Sequence, residues 1–592
     1  MQTETLVSGA GSLQTRTHLG QRATRKVRHA LLRATERRII TSVAAPEAPI
    51  TTAPVTGLVH LSPEARERSI KSKVKFEKVK VEKCGSNMWT EVPELAKLIR
   101  EGNTKWEDLN LDDVDIRMKW AGLFHRSKRT PGKFMMRIRV PSGELSAAQL
   151  RFLGSAIRVY GEEGCGDITT RAGIQLRGIT LDTADKVIEG LLAHGLTSFQ
   201  SGMDNVRNLT GNPIAGLDPH ELIDTRPLLK ELQDMIVGPE GKGRADLTNL
   251  PRKINVCISS TRDDFPHTQI NDVGFEAVQD PASGKVVFNL MVGGYFSIKR
   301  NIMSVPAPFS VTEEQLVPFT EALLASFRDH GPRADRQQTR LIWLVEAIGM
   351  EKWQELIESY MPPGTKLAPA VHVKHEGTWE RRDLLGVHPQ KQPGLNWVGA
   401  CVPSGRLLAD DFDEIARLAE KYGDGSVRLT CEENVLFVNV PDASVQGLLA
   451  EPLLQRFKAN PGNLTRAMVS CTGSQFCGFG LAETKNRAMA LMQALEEQLD
   501  IPRPVRIHFT GCPNSCGQAQ VGDIGLMGAP AKKNGKAVEG YKILLGGKVG
   551  ENPSLATDFA QCQRRILKPG CGKFWCKPLA QHPRLPQLLH RA

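Results

Sequence analysis

Apolar and polar residues alternate along Phe134-Met-Met-Arg-Ile-Arg-Val140, with Phe134, Met136, Ile138 and Val140 on one face and Met135, Arg137 and Arg139 on the other. This is the period of a strand with one buried face. Leu250 to Ile258 repeats the design, with Ile254, Val256 and Ile258 on one face and Lys253, Asn255 and Cys257 on the other. Either strand alone reads as half-exposed, its polar residues solvated. Elsewhere the period lengthens. Leu150, Phe152, Leu153, Ile157 and Val159 keep helical spacing, as do Phe412, Ile415, Ala416, Leu418 and Ala419.

These elements come in two copies. Pro141-Ser142-Gly143 and Tyr160-Gly161 recur as Pro403-Ser404-Gly405 and Tyr422-Gly423, each displaced by 262 residues. Pro251-Arg-Lys-Ile254 recurs as Pro504-Val-Arg-Ile507, and Phe288 to Gly294 as Tyr541 to Gly547, both displaced by 253 residues. Constant offsets mark an internal duplication. Each copy begins with a strand–turn–helix–strand block, at about 130–200 and 395–445, and continues into a larger mixed segment with a Gly-Gly strand end. At the offset of 253, Cys512 aligns with Ser259 and Cys516 with Asp263, so only the second copy offers thiols.

Those thiols form two pairs, Cys471-Thr-Gly-Ser-Gln-Phe-Cys477 and Cys512-Pro-Asn-Ser-Cys516. Short pairs bring sulfurs to one site at little loop-closure cost, and the adjacent Gly and Pro let backbone wrap closely around a metal. Thiolate-only ligation suits zinc or iron–sulfur. A five-residue gap is wider than zinc pairs usually carry, which favours a four-cysteine [4Fe–4S] cluster. A disulfide or buried thiols is the other reading.

Composition narrows the partners. The 592 residues carry a net charge of +11, part of it in residues 1–45, where Arg16, Arg22, Arg25, Lys26, Arg28, Arg33, Arg37 and Arg38 face only Glu4 and Glu36. A basic, hydroxyl-rich, acid-poor leader is the composition of an organellar transit peptide. No apolar run reaches the roughly 18–20 residues of a membrane span. No basic helix with base-reading residues appears, so no nucleic-acid partner is expected. The other cysteines, Cys257, Cys401 and Cys431 among them, read as small buried hydrophobes. No G-x-G-x-x-G unit offers a flavin or nicotinamide site, so electrons are expected from another protein.

The stretches C-T-G-S-Q-F-C-G and T-G-C-P-N-S-C-G-Q resemble the siroheme-containing assimilatory nitrite and sulfite reductases. The Ser-Gln-Phe between the first cysteines is similar to the ferredoxin-dependent nitrite reductases of plants and algae, and the resemblance spans about residues 85–560. It implies an α+β fold of two ferredoxin-like half-domains and two mixed α/β siroheme/iron–sulfur domains around a pseudo-twofold axis. It implies that Cys471, Cys477, Cys512 and Cys516 hold a [4Fe–4S] cluster and that Cys516 bridges it to siroheme. Arg137, Arg207, Lys253 and Asn255 match the substrate-side residues, Asn255 standing where sulfite reductases carry a second lysine. Arg171, Gln175, Arg177 and Arg252 match positions that bind the siroheme carboxylates.

The expected divisions are a plastid transit peptide over 1–45, a linker over 46–84, and an N-terminal segment with the first half-domain over 85–204. A first siroheme-binding domain follows over 205–365, the second half-domain over 380–450, the [4Fe–4S]/siroheme domain over 460–560 and a divergent tail over 561–592. The expected activity is six-electron reduction of nitrite to ammonium by a monomer in the chloroplast, with ferredoxin-dependent sulfite reduction as the alternative. An acidic ferredoxin would dock on basic runs such as 71–83 or 126–133. Relatives usually carry Gln-Asn where this chain has Glu433-Asn434, and a carboxylate beside siroheme acids is unfavourable unless turned away.

Overall fold

The structure, a computed structural model, describes residues 57–563 apart from 376, 378, 534 and 535. The expected transit peptide and most of the expected tail lie outside the described residues.

The two half-domains are two five-stranded sheets that exchange edges. In the first, strands Leu123–Arg126, Thr130–Ile138, Ile174–Ile179 and Gly166–Ile168 are completed by Arg406–Leu407 from the second copy. In the other, Gly386–Pro389, Leu395–Ala400, Val435–Pro441 and Ser426–Leu429 are completed by Glu144–Ser146 from the first. The helices Ala147–Arg158 and Ala409–Tyr422 lie against each other beneath these sheets. Their apolar stripes merge into one core, where Leu150, Leu153 and Ile157 meet Phe412, Ile415 and Ala416, all buried.

The helices cross closely because Gly154 has no side chain. A Cβ there would stand 2.9 Å from the Ala409 carbonyl oxygen and 3.0 Å from the Phe412 Cβ. Gly154→Val is expected to overpack this crossing and cost about 1–3 kcal/mol, read as a lowered thermal midpoint.

The two larger domains share another design, each a five-stranded sheet in which a parallel pair is followed by an antiparallel hairpin. Val256–Ser259 pairs in parallel with Val273–Gln279, and Ile507–Thr510 with Ile524–Lys533. Their registers correct the equivalences drawn from sequence. Val256 pairs with Val273 and Ile507 with Ile524, a displacement of 251 residues rather than 253. The Asn255 amide donates to Asp272 at 2.8 Å, as the Arg506 amide does to Asp523 at 2.7 Å. The offset of 253 returns after the hairpin, where Val273 pairs with Val292 and Ile524 with Leu545. The second hairpin is two residues longer, and the Pro-x-x-Ile match is a slipped register. Cys512 therefore stands opposite Thr261, and Cys516 opposite Phe265.

Residues 63–82 fall within the expected linker but form two helices, Pro63–Lys71 and Lys75–Glu82. Ser62 caps the first, its side chain accepting from the Ala65 amide. Neither helix has a broad apolar stripe, which is why the pattern hid them. Buried charges fix them instead. Lys80 pairs with Glu77 and, at 3.2 Å, with Asp204, while Arg333 holds Glu77 at 3.1 Å and Arg336 grips Asp204 with both Nη atoms, at 2.7 and 2.6 Å. Lys80 is thus buried within the run expected to dock ferredoxin, and Lys75 and Lys83 are engaged by Asp112 and Asp113.

Burial raises the pKa of Asp204, but Arg336 and Lys80 outweigh it and hold the carboxylate below its usual range. A depressed carboxylate adds stability above its unfolded pKa, near 4, and loses it as pH falls through the folded value. Asp204→Asn is expected to cost about 3–5 kcal/mol at neutral pH by leaving Arg336 without its acid and Lys80 with Glu77 alone. Its deficit against the parent should shrink on acidification below pH about 4, which denaturant melts across pH will show.

Candidate functional site

The first cysteine pair opens at the end of strand Met468–Ser470 and the second follows strand Ile507–Thr510, its parallel neighbour. The Cys471 amide donates to the Phe509 carbonyl at 3.0 Å, and the Gly511 amide to Cys471 Sγ at 3.1 Å. The loop carrying Cys516 presses onto the same strand: a Cβ on Gly517 would stand 2.1 Å from the Phe509 carbonyl oxygen. Ser515 and Gln518 take left-handed backbone, with φ of 50° and 56°, which turns the loop back towards the cavity.

All four thiols line one cavity of about 220 Å³, with Cys516 exposed and the other three half-buried. Among the described residues no three His, Cys, Asp or Glu side chains are close enough to share a single metal ion. A cluster needs no such convergence, because each thiolate takes a different iron. Burial pushes the Cys471 thiol up to about 12 and Cys512 up to about 11, so metal loading must displace their protons.

The opposite wall is cationic. Arg137, Arg171, Gln175, Arg207, Lys253 and Asn255 all line the cavity. Arg137 lies over the Phe124 ring at 4.4 Å and donates to the Ser201 carbonyl at 3.0 Å. Arg207 is held by the Met203 carbonyl at 3.0 Å, and Arg171 by Asn271 Oδ1 at 3.0 Å. Burial, and then Arg126, brings Arg137 down to about 10; Lys253 is driven well below its usual range by burial and then by Arg340, Arg207 and Arg252. Asn255 is 6 % exposed, and its Oδ1 is buried without a partner. Buried cations that depress one another call for an anion in their midst.

Arg177 and Arg252 are not in this wall. Arg177 is tied to Asp167 at 2.9 Å, to Gln175 at 3.0 Å and to Thr472 at 2.6 Å, and it lies over Phe476 at 5.2 Å. It braces the loop between Cys471 and Cys477 from behind. Three further cations line the cavity: Arg126, Arg340 and Lys485. Arg126 belongs to a run expected to be a docking surface, yet its Nε is buried without a partner. Arg340 comes from a loop without a motif and is oriented by Asp272, at 2.8 Å.

Glu433 also reaches this cavity and is 3 % exposed. It accepts from the Ser470 amide at 3.2 Å and sits 3.6 Å from Lys485 Nζ. Burial pushes it up to about 7, with Lys485 opposing. Its left-handed backbone, φ 65°, aims the carboxylate at this local pair. Cys257, Cys401 and Cys431 are buried, and burial raises the pKa of each.

A duplicated molecule with four thiols on one wall of a cavity and acid-starved cations on the other is of the iron–sulfur redox class, shaped for an anionic prosthetic group. Known proteins supply the rest. The nitrite and sulphite reductase 4Fe-4S domain matches residues 202–363 and 461–571, and the nitrite/sulfite reductase ferredoxin-like half domain matches 126–194 and 388–454. A ferredoxin–nitrite reductase of Synechococcus elongatus is 50 % identical over 81 % of this chain and 91 % of its own length. The chloroplastic ferredoxin–nitrite reductase of Zea mays is 47 % identical over 81 % and 84 %. The solved structure of the Mycobacterium tuberculosis NirA protein superposes with a TM-score of 0.77 at 26 % identity, covering 88 % of this chain and 97 % of that one.

The chain belongs to the nitrite and sulphite reductase family. It is an oxidoreductase with the family's duplicated half-domains and cofactors, siroheme and a [4Fe–4S] cluster. The thiol set and the uncompensated cations fit both groups.

Proposed function

We propose that the chain reduces nitrite to ammonium, taking six electrons from reduced ferredoxin and eight protons, and releasing two waters. The observation that carries this reading is the pair Lys253 and Asn255 on one wall of the cysteine-lined cavity, with Arg137 and Arg207 beside them. Cys471, Cys477, Cys512 and Cys516 would hold the cluster, with Cys516 serving the siroheme as well; Arg171, Gln175, Arg126 and Arg340 would take the acids of siroheme. The bound cofactors supply electron storage and a metal site for the anion's nitrogen.

The protein's own part is charge and protons. Guanidinium forks at Arg137 and Arg207 hold the anion by charge-assisted hydrogen bonds. A bound anion opposes the burial that depresses Lys253 and so favours its ammonium form, a proton donor placed where oxygen must leave as water. Asn255 offers an amide that leaves the net charge low, which suits a monoanion better than the sulfite dianion. Asn255→Lys is expected to shift the ratio of sulfite to nitrite turnover upward by about tenfold. Paired assays of sulfide and ammonium formation decide, and an unchanged ratio would reject the specificity assignment.

Lys128 and Arg129 are exposed, Arg129 reaches the Gly480 carbonyl at 3.4 Å, and Phe479 beside it is 67 % exposed. This corner adjoins Cys477 and would receive an acidic ferredoxin. Plastid residence is supported by the basic, acid-poor residues 1–45 and by chloroplastic relatives. No helix among the described residues is long and apolar enough to cross a membrane.

A further inference from the structure

The duplication gives the molecule a second cavity, of about 700 Å³, on the other side of the pseudo-twofold axis. The registers set the equivalences. Arg506 stands in it where Asn255 stands in the first cavity, Phe265 replaces Cys516, and Val521 replaces Ile270. His267 and Gln518 are mates too, with φ of 59° and 56°. His267 Nδ1 and Gln518 Oε1 meet at 3.0 Å on the axis, His267 lining the second cavity and Gln518 the first.

With Phe265 for Cys516 this cavity has no thiol in its lining. What it keeps is a cationic wall, most of it already paired. Arg381 is taken by Glu432, Arg382 by Asp218 and Asp263, Arg262 by Glu551 at 3.2 Å and Arg466 by Asp383 at 2.9 Å. Arg503, Arg506 and Lys548 are different. Their side chains make no direct ion pair among the described residues; Asp523, whose Oδ2 takes the Arg506 amide, acts on all three, Glu432 and Asp383 act on Arg506 as well, and Glu551 acts on Lys548. Arg503 Nη2 is buried without a partner. Three cations without a direct partner thus stand in a concave, partly desolvated site, beside the apolar faces of Phe265 and Trp379.

We propose that this cavity is a second anion site, taking a small organic polyanion with several carboxylate or phosphate groups, bound by Arg503, Arg506 and Lys548. Guanidinium forks and an ammonium suit both oxyanions, and the volume admits a molecule far larger than nitrite. The site stands apart from the thiols and from Lys253, so it does not depend on the reaction proposed for the first cavity.

Calorimetric titration of the holoenzyme with sodium pyrophosphate and, separately, with citrate tests it. Saturable binding of at least one is expected, weakened at least about tenfold in the R506Q/K548Q double variant and unchanged in K253Q. Tighter pyrophosphate marks a phosphate ligand, tighter citrate a carboxylate one. Absence of saturable binding, binding that survives the double variant, or binding lost in K253Q would each overturn the proposal. Should the double variant fail to fold, R503Q alone must weaken binding several-fold, and an unchanged affinity overturns it equally.

Discussion

Cys516→Ser is expected to abolish nitrite turnover, by more than about a hundredfold, while leaving the polypeptide folded. Of the four thiols this one is exposed, and its charge acts on both Arg137 and Lys253. Its loop is held by backbone rather than by the sulfur: the Gln518 amide donates to Ser515 at 3.0 Å and the Gly517 amide to Thr510 Oγ1 at 3.4 Å. A serine therefore fits without rearrangement, and what is lost is the soft ligand. The visible spectrum reads the change independently of activity. Cluster and siroheme bands that no longer shift together would agree with a shared thiolate, and an unaltered spectrum with full turnover would remove Cys516 from that role.

Lys253→Gln should lower kcat/KM for nitrite by about 10²–10³-fold. The pH dependence is the sharper test. Burial and neighbouring arginines depress the ammonium's pKa, and an anion beside it raises it again, so binding takes up a proton. Nitrite should thus bind more tightly as pH falls, and KM should rise with pH in the parent enzyme. In the variant that slope should flatten, since glutamine carries no proton to exchange. A variant whose KM keeps the parental slope would show that another group carries the proton.

How much of this was legible beforehand depended on what kind of signal each residue left. The four cysteines announced themselves, because ligand spacing is local; strand period marked Arg137 and Lys253 only as the polar face of a half-exposed strand, and the resemblance alone pointed to them as site residues. Arg340 left no trace: it reaches the cavity from a loop and is aimed by Asp272, 68 residues away in the chain. The N-terminal helices were missed because buried ion pairs, not an apolar stripe, secure them. The duplication was visible, but its register was not. A hairpin two residues longer in one copy lets Gly-Gly align at 253 residues while the strands before it align at 251. Only inter-strand pairing fixes register, because a strand shifted by two presents the same faces.

The exchanged edge strands carry a consequence for synthesis. Glu144–Ser146 leaves the ribosome early but has no seat until Ser426–Leu429 has been made, and the sheet it departs from stays open until Arg406–Leu407 arrives. A nascent chain must therefore shelter two raw borders through most of translation. Neither repeat can close alone, and gene fission between them would strand both products with unfinished sheets.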